Sequence, residues 1–177
     1  MLSFVAMNKD HLEKVLQWRT SPEVTKYMFT DIPYDLDNQY KWFDKVKESE
    51  KEIYWMICYK NTEIGVVSLN DIDLKNRKTS AGYYIGEKNF RRLGGMVLPY
   101  LYNFIFYELG LNKATAEIMS ENSNVIKLHQ MYGFREVGVF YQHIYKNDRY
   151  YDVNVLELLR EDWEVSGQRY KNLLLSF

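Results

Sequence analysis

Apolar and polar positions alternate with two different periods along this chain, and the changes of period divide it into elements. Leu2–Ala6 reads as a short strand. Leu12, Val15 and Leu16 recur at helical spacing, which predicts a helix over 9–18 capped by Asn8 or Asp10. A loop with Pro22 and Pro33 precedes a second amphipathic helix over 35–47, with Tyr40, Phe43 and Val46 as its inner face. The runs IYWMICY (Ile53–Tyr59), EIGVVSL (63–69) and TSAGYYIG (79–86) are strands, the first two joined by a turn at Lys60 and Asn61. Beyond them Val97, Leu101 and Ile105 lie one turn apart, as do Leu98, Tyr102 and Phe106. They predict a helix over 96–109 closed by Gly110. KATAEIM (Lys113–Met119) is a strand, 124–132 a short helix stopped by Gly133, and 134–141 another strand. Lys146, Asn147 and Asp148 turn the chain into a last strand over 150–158. The order β-α-α-β-β-β-α-β-α-β-β predicts a mixed sheet with helices on both faces, α/β or α+β in class. No repeat or linker divides the 177 residues, so 1–177 is expected to be one domain.

Composition narrows what this domain can do. Hydrophobic residues at 46% and charged residues at 27% are ordinary for a globular chain. The aromatic share of 16%, with 16 Tyr, suggests a cleft or interface lined with flat amphipathic rings. A net charge of −1 gives no global pull towards nucleic acid or anionic lipid, so neither is an expected partner and any anion site must be local. Cys58 is the only cysteine, which excludes an internal disulfide and a cysteine metal cluster; it reads as a buried small hydrophobe. His11 and His143 read as surface residues, and nothing spaces them as metal ligands, so no metal is expected. No run approaches the roughly 20 apolar residues that span a bilayer, and Lys9 and Asp10 come too early for a signal peptide. A soluble cytoplasmic protein is the expectation.

The local anion site has one good candidate. In FRRLGGMVLPYLYNFIFYELGL (90–111), two arginines and two glycines stand before the long helix. Free N–H groups and the helix dipole favour an anion at a helix start. Gly94 and Gly95 have no side chains to block close approach, and Arg91 and Arg92 add charge. Pro99, within the first helical turn, removes no N–H the helix needs. The bland reading, a glycine turn beside solvated arginines, carries equal weight when this segment is taken alone. No Lys-Ser/Thr follows the glycines as in a P-loop, and no second glycine stands at Rossmann spacing.

This segment together with AEIMSENSNVIKLHQMYGF (116–134) resembles the acetyl-CoA core of the GCN5-related N-acetyltransferase (GNAT) superfamily. The family's Arg/Gln-x-x-Gly-x-Gly/Ala pattern meets Arg91, Gly94 and Met96, where Met96 departs from the usual small residue. Its second box meets Glu121, Asn122, Val125, Ile126, His129, Gly133 and Phe134. The resemblance implies a mostly antiparallel sheet of about seven strands. Two parallel strands, here 79–86 and Lys113–Met119, would splay apart at its centre. It implies acetyl-CoA as cosubstrate, with pantetheine against Tyr84 and Ile85, pyrophosphate on Arg91, Arg92, Gly94, Gly95, Met96 and Val97, and Asn122 near the pantetheine. A homodimer is compatible with it. WRTSPEVTKYMFT (18–30) and YKNDRYYDVNVLELLREDW (145–163) further resemble acetyltransferases of pseudaminic acid biosynthesis, which act on the 4-amino group of a UDP-linked 4-amino-4,6-dideoxy sugar. The acceptor pocket would then include Trp18, Arg19 and Met28, against the alternative that Trp18 is core.

Amine acetylation needs a base to free the amine lone pair and an acid for the departing thiolate. Glu117, inside the strand KATAEIM, is the candidate base, through water, or else a solvent-facing strand residue. Glu121 reads as a loop charge. His129 stands where the family usually has tyrosine, and is either the acid or a packing residue. The rival functions are acetylation of a polyamine, a protein N-terminus or a ribosomal protein, and, in another class, a non-catalytic acyl-CoA-binding module.

Overall fold

The computed structural model describes residues 1–175. Strand β1 (Leu2–Ala6) leads through a single 3₁₀ turn, Lys9–His11, into helix α1 (Leu12–Thr20). Asn8 starts that turn as expected, and His11 completes a capping box by accepting the Asn8 N–H at 3.0 Å. His11 also meets Glu63 at 3.2 Å, so it is a partly buried structural group and not the surface residue its type suggested. A short helix α2 (Pro22–Thr25) and a longer α3 (Leu36–Glu48) follow. On α3 the inner face is Gln39, Phe43 and Val46, whereas Tyr40 is exposed. Positions i, i+4 and i+7 share a helix face; Tyr40, one residue on, is turned about 100° away, beside Lys9.

Strands β2 (Ile53–Tyr59), β3 (Thr62–Asp73) and β4 (Lys78–Ile85) form a meander. The left-handed Lys60 and Asn61 make the expected tight turn. Residues Lys88–Met96 form a 3₁₀ run that leads directly into α4 (Val97–Asn103), which widens into a π turn over Phe104–Glu108 before Gly110 ends it at φ +64°. Then come β5 (Lys113–Met119), α5 (Ser123–Met131), and the long hairpin β6 (Arg135–Lys146) and β7 (Arg149–Leu159). Irregular pairing between Phe140 and Ile144, with Gln142 left-handed and its N–H on Asp152, breaks the alternation of β6 and hides its second half from a periodicity reading. A final helix α6 (Arg160–Ser166) was not anticipated; only Trp163 of its seven residues is buried.

The seven strands lie in the order β1-β2-β3-β4-β5-β7-β6, all antiparallel except β4 with β5. Helices α1 and α3 cover one face over Met56, Cys58 and Val66; α4 covers the other over Phe4, Ile57, Val67 and Ala114. The fold is α+β, one sheet between two helical layers.

Candidate active site

The parallel pair at the centre of the sheet is short. Strands β4 and β5 pair at Lys78–Lys113, Thr79–Ala114 and Ser80–Thr115, and no further. Beyond Ser80, β4 stays on β3 as far as Ile85, and β5 stays on β7 as far as Met119. The strands therefore splay, leaving the facing edges of 81–85 and 116–119 with no strand partner. Such an edge offers a row of backbone donors and acceptors. Alternation along β4 sends Tyr83 and Ile85 to the α4 layer and Tyr84 to the α1–α3 layer. Burial raises both phenols, with Arg19 opposing the rise at Tyr84.

One rim of this cleft is the 3₁₀ run. Arg91 and Arg92 are exposed, and neither has a side-chain partner among the described residues. A Cβ on Gly94 would stand 3.2 Å from the Tyr83 ring, and one on Gly95 3.3 Å from a Leu128 methyl. The two glycines let the run settle onto β4 and α5. Met96 is half exposed, while the side chain of Val97 is wholly in the core, leaving only its backbone for a ligand. Asn122, at the N-cap of α5, spends no side-chain hydrogen bond on the cap.

Glu117 is exposed on β5, on the face opposite Ala116 and Ile118, which are core. That is the face of Tyr84. His129 is buried, 4% exposed, edge-on to Phe134, with Nδ1 2.9 Å from the Val125 carbonyl. A carbonyl only accepts, so Nδ1 carries the hydrogen in that contact, and a neutral ring then has a bare lone pair at Nε2. Burial lowers the imidazole below its ordinary value, against a smaller opposing effect of the Val125 bond. Glu121 pairs with Arg149 at 3.1 Å as a surface charge.

The acceptor-side candidates are close together and well occupied. Trp18, 7% exposed, lies over Gly86, where a Cβ would come within 2.2 Å of the indole. Its Nε1 donates to Glu87 at 3.2 Å. Arg19 donates to Thr25 Oγ1 at 3.3 Å and to the Thr30 carbonyl at 2.7 Å. Met28 is half-buried, and its carbonyl accepts from Lys146 Nζ at 3.1 Å. Lys146 was not singled out from the sequence. Only 7% exposed, it also donates to the Thr25 carbonyl at 2.6 Å and meets Asp31 at 2.8 Å. It holds the Asp31 carboxyl below the usual range, with help from Thr25. A lone lysine in a hairpin turn gives no sequence signal of burial. An open cavity of about 430 Å³ lies here, lined by Thr20, Thr25, Lys26, Asp31, Lys146 and Asn147 among others. Among the described residues no group of three or more His, Cys, Asp or Glu is placed to hold a metal ion. No helix among them is long and apolar enough to cross a membrane.

A splayed parallel pair with a basic, glycine-bearing helix entry beside it sets an open backbone edge next to local positive charge, a cleft that suits an extended anionic ligand. A family model described as an acetyltransferase (GNAT) domain matches residues 2–135, and the chain belongs to that family. It is an N-acetyltransferase that uses acetyl-CoA. The chain is 27% identical over 168 residues to the uncharacterised N-acetyltransferase p20 of Bacillus licheniformis, covering 92% of this chain and 94% of that one. It is 20% identical over 132 residues to the acetyltransferase PseH of Campylobacter jejuni, covering 75% and 82%. A spermidine N-acetyltransferase of Vibrio cholerae, solved with CoA and spermine, superposes with a TM-score of 0.86 at 20% identity, covering 92% and 98%. At that identity the likeness speaks for the fold.

Proposed function

We propose that the acceptor is the 4-amino group of a UDP-linked 4-amino-4,6-dideoxy sugar. The carrying observation is the junction at Lys146. The segments 18–30 and 145–163, which bear the sequence likeness to sugar acetyltransferases, are joined there by Nζ bonds to the Thr25 and Met28 carbonyls. Lys26 lines the cavity beside that junction, held over the neighbouring Tyr27 ring at 4.9 Å, and supplies a cation suited to a nucleotide diphosphate. Trp18, Arg19 and Met28 do not line that cavity; in this reading they act by holding the residues that do, since Arg19 bonds Thr25 and the Met28 carbonyl bonds Lys146.

Acetyl-CoA supplies the activated acetyl group, and the cleft fits it. The β4 edge at Tyr84 and Ile85 takes the pantetheine, and Asn122 has a free amide near it. Arg91 and Arg92 take the pyrophosphate with the backbone of Gly94, Gly95, Met96 and Val97. The amides of Gly94, Gly95 and Met96 lie in a 3₁₀ run and that of Val97 closes it on the Gly94 carbonyl; such hydrogen bonds are the poorer kind and exchange favourably for charge-assisted ones to phosphate. Holding donor and acceptor on the two faces of one splay makes the encounter a positioned one. Glu117, exposed on the acceptor face, receives the ammonium proton through water. His129 packs and positions, and solvent protonates the thiolate.

One observation favours a second reading. Arg19 and Lys146, cations that could meet a diphosphate, are taken up by loop oxygens and Asp31, while Glu117 is an exposed carboxylate on the same face. That balance suits a polyamine. Thiol release from acetyl-CoA, screened over UDP-amino sugars, polyamines and peptides, decides. The sugar should give the largest kcat/KM, and a polyamine or nucleotide-free amine turned over as well would sink the first reading. A homodimer formed over the free edge of β6, where Phe140, Tyr141 and Tyr145 are exposed, belongs to the same proposal and is checked by light scattering.

A further inference from the structure

The run that enters α4 has a missing hydrogen bond at a place where it matters. In an α-helix the carbonyl of residue 95 would accept from the N–H of residue 99. Residue 99 is proline and has no N–H; because the 3₁₀ run continues helical backbone upstream of α4, that donor is missed here, contrary to the expectation that the helix would not need it. The Gly95 carbonyl instead accepts from the Tyr132 hydroxyl at 2.7 Å, across 37 residues of chain. Gly95 touches α5 a second time through Leu128, which would stand 3.3 Å from a Cβ placed there.

Tyr132 is itself rigidly held. It is 6% exposed, and its ring lies edge-on to Tyr170, Trp163 and Tyr102, at 5.5, 6.4 and 6.2 Å between centroids. Its own carbonyl accepts from Ser166 Oγ at 3.1 Å. Trp163, Ser166 and Tyr170 all lie beyond residue 135, outside the part of the chain the family model matches. The brace is therefore supplied by this chain's own C-terminal segment. Burial, with Tyr170 adding to it, pushes the phenol up to about 12, so it is a donor throughout the ordinary pH range.

We propose that Tyr132 is a positioning residue for acetyl-CoA: its hydroxyl holds the Gly95 carbonyl that Pro99 leaves without a helical donor. Because the peptide is planar and trans, fixing that carbonyl also fixes the Met96 N–H on the opposite side of the same peptide group. The orientation of the entry turn is thus set from the C-terminal segment through one phenol. The inference rests on the reading that residues 91–97 bind the pyrophosphate.

Tyr132→Phe keeps the ring and removes the hydroxyl, with its bond to the Gly95 carbonyl and its contact with Tyr170. It should raise KM for acetyl-CoA about fivefold, the scale of one net hydrogen bond, while KM for the amine stays within about twofold. Calorimetric binding of CoA should weaken by the same factor without turnover. Pro99→Ala restores an N–H that can reach the Gly95 carbonyl, so in that background the fivefold effect of Tyr132→Phe should shrink to about one. A purely structural tyrosine would move both KM values together and would not be rescued. An acetyl-CoA KM within twofold of the parent, or an equal penalty in the Pro99→Ala background, overturns the inference. The Arg91→Ala, Arg92→Ala double variant separates the two levels. If it weakens CoA binding while Tyr132→Phe does not, only the role of Tyr132 is lost; if CoA binding is unchanged, the pyrophosphate reading falls and this inference falls with it.

Discussion

His129 is a residue whose sequence position and three-dimensional surroundings point in different directions. Its place in the second box suggests a donor to the departing thiolate, yet its Nδ1–H is committed to the Val125 carbonyl and its burial disfavours the cation. A neutral ring in that tautomer accepts at Nε2 and has no proton to give there. His129→Phe should therefore lower kcat by less than about threefold, where loss of a general acid costs roughly 10²-fold. The same burial makes a stability prediction. The folded-state value lies below the unfolded one of about 6.5, so on acidification the unfolded chain binds a proton before the folded one does. Above about 6.5 the His129 contribution is flat; below it, stability falls until the folded value is passed. The carboxylates with lowered values, Asp31, Asp73 and Glu157, act in the same direction, but only as pH approaches about 4. Denaturant melts at pH 5, 6 and 7 should show a slope in the wild type that His129→Phe flattens. An equal slope in both proteins would mean that the imidazole titrates freely.

At the scale of elements, the β6–β7 hairpin and the segment after α2 are one unit, although about 120 residues separate them. Arg19 ties Thr25 and Thr30 to the end of α1, and Lys146 ties Thr25, Met28 and Asp31 to the hairpin tip. Lys146→Met keeps the stem and removes the ammonium; the Met28 carbonyl loses its donor, the Thr25 carbonyl keeps the Met28 N–H, and Asp31 keeps the Thr25 hydroxyl. A carbonyl left unpaired where water cannot reach it costs about 1–3 kcal/mol, enough to loosen a segment whose other ties are those of Arg19 and Thr25. KM for the amine should rise by roughly tenfold with KM for acetyl-CoA unchanged, and proteolysis within 25–31 should quicken. If both KM values hold, the loop is not part of the acceptor site. None of this junction is legible in the sequence, because a turn lysine is ordinarily solvated and only the fold brings carbonyls to it. The central strands are legible as apolar runs bounded by turn residues, and α3 is legible because one buried face leaves a helical period; the second half of β6 is not. The 3₁₀ run at Lys88–Met96 and the π turn at Phe104–Glu108 are not, since both arise in stretches that differ from an α-helix by backbone bonding and not by side-chain pattern.

For the molecule as a whole, the central question is what holds the C-terminal segment against the acetyl-CoA half of the domain. Asn103 answers it. It is the one non-aromatic polar side chain between Val97 and Phe106, and the sequence reading, which followed only the apolar period of this run, passed over it. Fully buried, its amide donates to the carbonyls of Tyr170 and Leu173 at 2.8 Å each, and its oxygen accepts from Trp163 Nε1 at 2.9 Å. One side chain thereby satisfies two backbone acceptors and one indole donor in the layer that carries Trp163, Tyr170 and Tyr132. Asn103→Leu preserves the volume and strands the Leu173 carbonyl and the Trp163 indole N–H, while the Tyr170 carbonyl keeps the Leu173 N–H, at about 1–3 kcal/mol for each group that water cannot reach. For a domain of this size, 3 kcal/mol corresponds to a fall in Tm of roughly 6–12 °C. Because Tyr132 stands on this layer, the loss should also reach the cofactor: CoA should raise the Tm of Asn103→Leu less than it raises that of the wild type at equal concentration. A variant that melts early yet gains the full CoA shift would show that the C-terminal segment stabilises the domain without shaping its cofactor turn.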